Sequence, residues 1–106
     1  MSQSRREKIE ALLRDDPGDV FLRYSLALEM ESAGEWQGCL SILEDLGRGS
    51  PPYVPALQMA GQFLAARGLI EDARRALREG IEAARAIGNA HAAGEMAELL
   101  MSIGDA

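Results

Sequence analysis

The sequence is poor in the residues that build most chemical sites. It holds one cysteine, Cys39, and one histidine, His91, among 106 residues. A single cysteine excludes an internal disulfide and suits a reducing compartment. One Cys with one His cannot supply the spaced ligands of a zinc site, and Asp15, Asp16 and Asp19 lack the closing Glu of a twelve-residue calcium loop. A cysteine nucleophile needs a histidine and an orienting group beside it, whereas His91 falls in the last helical segment, far along the chain from Cys39. No stretch approaches the roughly 20 apolar residues of a membrane helix, and the polar, basic start from Met1 to Lys8 does not read as a secretory signal.

Aromatic side chains are scarce, with one Trp, two Tyr and two Phe, so the core must come from Leu, Ile, Ala and Met. Positive charge is also in deficit: 11 Lys and Arg stand against 17 Asp and Glu, a net charge of −6. Such a chain repels a phosphate backbone, which excludes most nucleic-acid binders. Gly47-Arg48-Gly49 has no third glycine and no following Lys-Ser or Lys-Thr, so it supports neither dinucleotide nor P-loop chemistry. Glu95 and Glu98 share a helix face, yet acid–base work needs a pocket that perturbs their pKa values, and nothing in the sequence foretells one. The expectation is a cytoplasmic, non-enzymatic protein with no catalytic residue, no cofactor, no metal, and neither nucleic acid nor membrane as partner.

With 47% hydrophobic and 26% charged residues, the chain is of globular composition and fits one domain, 1–106. Its apolar periodicity is helical throughout, predicting an all-α fold of six helices. Ser4 and Glu7 have capping-box spacing before Ile9, Leu12 and Leu13, giving a helix over 5–16 that Pro17-Gly18 stops. Asp19 caps a second helix, with Leu22, Leu26, Met30 and Ala33 on its apolar face and Gly34 at its end. Glu35 to Leu46 forms a third, closed by the breakers from Gly47 to Pro52. A fourth begins at Tyr53, tolerates Pro55 in its first turn and ends at Gly68. Ile70 to Ile87 is the longest, with Glu71–Arg75 and Arg78–Glu82 pairs on a solvated face, and a last helix runs from Asn89 to Gly104.

An offset of 34 residues pairs Pro17 with Pro51, Val20 with Val54, Gly34 with Gly68 and Leu43 with Leu77. Repeat one reads Leu26-Ala27, Met30, Gly34, Trp36, Cys39, Leu43, Pro51; repeat two reads Ala60-Gly61, Leu64, Gly68, Ile70, Ala73, Leu77. Small residues recur where paired helices must approach closely, and Leu43 and Leu77 fill the space between repeats. This pattern resembles the tetratricopeptide repeat, whose period is about 34 residues, and in particular the short stand-alone bacterial members of that family. The resemblance implies a right-handed α-α superhelix: a half repeat at 5–16, repeat one at 19–51, repeat two at 53–88 and a capping helix at 89–104.

In that family the first helix of each pair lines a concave groove for peptides or helices of other proteins. Carried onto this chain, the resemblance makes Phe21, Tyr24, Leu28, Glu31, Gln58, Gln62, His91, Glu95, Glu98 and Met101 the candidate partner-binding residues. The carboxylate clamp that some members use does not transfer, since its positions hold Tyr24, Leu28, Met59 and Glu95 instead of Lys, Arg and Asn. Glu31, Glu95 and Glu98 favour a basic or amphipathic partner segment. An alternative expectation is homodimerisation through the last helix, where Met96, Leu99, Leu100, Met101 and Ile103 occupy more than one face.

Overall fold

A computed structural model of the chain describes residues 4–104, and the described residues form six α-helices and no strand. They are α1 (Arg5–Asp15), α2 (Val20–Ser32), α3 (Trp36–Gly47), α4 (Val54–Ala66), α5 (Ile70–Ala86) and α6 (Ala90–Ser102). None is long and apolar enough to cross a membrane. The chain divides into two compact units at Asp45/Leu46.

In the first unit, α1 starts as its sequence dictates. The Ser4 hydroxyl accepts from the Glu7 backbone N–H at 3.1 Å, and the Ser4 N–H donates to Glu7 Oε1 at 3.0 Å. These two bonds satisfy orphan donors at the helix start, and the Ser4 backbone N–H, more than its hydroxyl, holds the Glu7 carboxyl below the usual carboxylate range. Asp19 Oδ1 caps α2 by accepting from Leu22 N–H at 2.8 Å. Ile9 of α1 and Ser25 and Ala27 of α2 are buried, and the Ser25 hydroxyl donates to the Phe21 carbonyl at 2.9 Å. Leu22, Leu26 and Met30 are half-buried, while Ala33 is exposed. Arg5 Nε lies 2.7 Å from Glu29, and Arg6 engages Glu35 through its two terminal guanidinium nitrogens, Nη2 donating at 3.2 Å.

The ends of α2 and α4 repeat one another. After α2, Gly34 at φ 80° places its N–H on the Glu31 carbonyl and the next N–H, from Glu35, on the Met30 carbonyl. After α4, Gly68 at φ 77° does the same with Ala65 and, through Leu69, with Leu64. This is the Schellman arrangement, which needs a left-handed residue and therefore favours glycine.

In the second unit, α5 packs against both α4 and α6 around Val54, Leu77, Ile81, Ala84, Ala92, Ala93 and Met96. Leu77 is fully buried, as are Leu43 and Cys39 in α3. The close approach of α4 to α5 depends on Gly61: a Cβ there would fall 2.6 Å from Leu77 Cγ, well inside van der Waals contact. Gly80 admits α6 in the same way, with Met96 Sδ 2.5 Å from the position of a Cβ. Arg74 reaches from α5 to the end of α6, donating to the Gly104 carbonyl at 2.8 Å.

Candidate interaction surfaces

The ten residues that the sequence singles out stand on α2, α4 and α6. In the first unit, Phe21, Tyr24, Leu28 and Glu31 recur at three- and four-residue steps and so share one side of α2. Phe21 is 65% exposed, a large apolar ring left in water, and Glu31 is exposed beyond it. Tyr24 and Leu28 are half-buried.

In the second unit the structure brings three of the ten together. Gln58 Nε2 on α4 donates to Glu95 Oε1 on α6 at 3.3 Å, and His91 Nε2 lies 3.4 Å from the same oxygen. His91 is 86% exposed and Glu95 53%, so the cluster is open to water. Gln62, one turn along α4, and Glu98, one turn along α6, are exposed as well. The chemistry available is hydrogen bonding from amides and attraction by carboxylates; no described cluster of His, Cys, Asp and Glu has a metal-binding geometry. Met101 lies one turn beyond Glu98 on α6. It borders a groove of about 550 Å³ between α5 and α6, floored by Ile81, Ala97 and Leu100 and edged by Arg78, Glu82 and Arg85.

Two solved structures share this arrangement of helices. A tetratricopeptide repeat domain protein from Salinibacter ruber, determined by NMR in solution, matches with a TM-score of 0.78 and 28% identity over 84% of this chain and 90% of that one. The chain has the tetratricopeptide repeat fold. A Bordetella parapertussis protein, also a solution structure, matches with a TM-score of 0.79 and 24% identity over 96% of this chain and 89% of that one. No family model matches the sequence, and no curated protein does.

A tetratricopeptide fold suggests a protein-interaction module. The α5/α6 groove escaped the sequence reading, which gave the charges of α5 to a solvated face and left the apolar residues of α6 uncovered. Leu99, Leu100 and Ile103 instead pack partly buried on the core, and Met101 alone of that set is strongly exposed, at 75%. The available signal was the row Arg78, Glu82, Arg85 beside Ile81. On α5 itself, Arg74 pairs with Glu71, and Arg75 with Asp72 at 3.6 Å.

Proposed function

We propose that this chain is a non-enzymatic interaction module that binds a peptide or helix of another protein through the outward sides of α2 in the first unit and of α4 and α6 in the second. The observation that carries the proposal is Phe21, a ring 65% exposed where burial would be favourable. Around it on α2, Tyr24 and Leu28 are each half-buried and so retain surface to offer. On α4 and α6 the offered groups are Gln58, Gln62 and His91, which can donate and accept, and the carboxylate acceptors Glu95 and Glu98. With Glu31, Glu95 and Glu98 among them, the favoured segment is basic or amphipathic, and its association is accelerated at low salt and slowed at high salt.

Affinity capture from native lysate tests this, comparing the wild-type chain with a Phe21→Ala, Gln62→Ala variant. Both positions are exposed, so circular dichroism should show unchanged helicity. A protein held by the wild type and lost by the variant supports the proposed surface; one held equally by both places binding elsewhere.

A further inference from the structure

We propose that the groove between α5 and α6 is a self-association surface that seats α6 of a second copy of this chain. Its floor is apolar, from Ile81, Ala97 and Leu100, and Met101 stands at its edge 75% exposed while its neighbours Leu99, Leu100 and Ile103 turn toward the core. A flexible, unbranched thioether left in water beside an open apolar groove is suited to filling an equivalent groove on a neighbour.

Charge selects the occupant. Arg78 and Arg85 edge the groove on α5; Glu82 between them offsets part of their charge and leaves the edge net positive. A basic segment of the kind favoured by Glu95 and Glu98 is therefore repelled here, and the fitting helix is an acidic one carrying an exposed apolar side chain. Helix α6 is such a helix: within Ala90–Ser102 it carries Glu95 and Glu98 and no Lys or Arg, and Met101, one turn beyond Glu98, is exposed as Glu98 is. Two copies related by a twofold axis make the contact twice, each offering its acidic helix to the arginines of the other. The surface lies wholly within the second unit and is separate from the cluster at Gln58 and Glu95.

Sedimentation of the full chain over a concentration series gives the test. The wild type should form a concentration-dependent dimer that weakens with salt, and Met101→Glu should weaken it by about tenfold or more. The decisive arm uses two further chains, one Arg78→Glu, Arg85→Glu and the other Glu98→Arg. Each should be monomeric alone, and the two mixed should form a heterodimer, because reversal on opposite sides restores both contacts. All substituted positions are exposed, and circular dichroism checks that each variant is folded. A wild type that stays monomeric throughout, or a dimer indifferent to these substitutions, overturns the proposal, as does a mixture that remains monomeric.

Discussion

At the scale of single residues, the fold depends on where a side chain is absent. Gly61 and Gly94 are both helical glycines, yet a Cβ at Gly61 collides with Leu77 whereas one at Gly94 meets nothing within 4 Å. Gly61→Ala therefore overpacks the α4/α5 contact at a cost of about 1–3 kcal/mol, against which the helix preference of Ala returns only about 0.5–1 kcal/mol. Gly94→Ala keeps that return with no clash. The denaturant midpoint should fall for the first and rise for the second, measured in dilute solution. The sequence announced Gly61 through its place in the repeat, opposite Ala27, because repeat positions that pack helix on helix admit only small residues. It could not announce Gly80 against Met96, since that contact joins α5 to α6 and depends on how the two helices pack.

Helix ends carry the next level of the account. Gly68→Ala forces a side chain into the left-handed region at φ 77° and should destabilise by about 1–2 kcal/mol, read from the thermal midpoint. At the opposite kind of terminus, the carboxyls of Glu7 and Glu35 lie below the usual range, Glu7 through Ser4 and Glu35 chiefly through its hydrogen bond to Arg6. A carboxylate depressed in the folded state contributes stability above the unfolded carboxylate range and loses it as pH falls through the folded value. Glu7→Gln and Glu35→Gln should thus lower the unfolding temperature modestly at neutral pH, since both groups are exposed and screened, and the difference from wild type should vanish in acid. Starts and stops were legible because caps are local: Ser4, Asp19, Gly34, Gly68 and Asn89 act on neighbours a few residues away. Arg6 with Glu35, and Arg74 with Gly104, were not, because each spans about thirty residues and depends on how helices pack. For the same reason Leu99 could not be sorted from Met101 before the position of α5 was known.

For the molecule as a whole, α6 covers the core of the second unit. Truncation before Asn89 uncovers Val54, Leu77 and Ile81, and the shortened chain should bind a hydrophobic dye and lose cooperative unfolding, as expected of a repeat array deprived of its cap. The 34-residue period made this architecture readable, and the fold suggests an interaction module without indicating what it would bind. The candidate residues were legible only as positions on helices; that Gln58, His91 and Glu95 meet, and that Met101 stands apart from them, required the packing of α4, α5 and α6. What most needs testing is that the outward side of α2 in the first unit and, separately, the outward sides of α4 and α6 in the second take a segment of another protein. The most direct test is amide chemical-shift mapping of the full chain titrated with the segment of a captured partner. Shifts should concentrate at residues 21–31 and around Gln58, Gln62, His91 and Glu95 and diminish with added salt; shifts confined to other surfaces, or none at saturating segment, would refute the proposed binding.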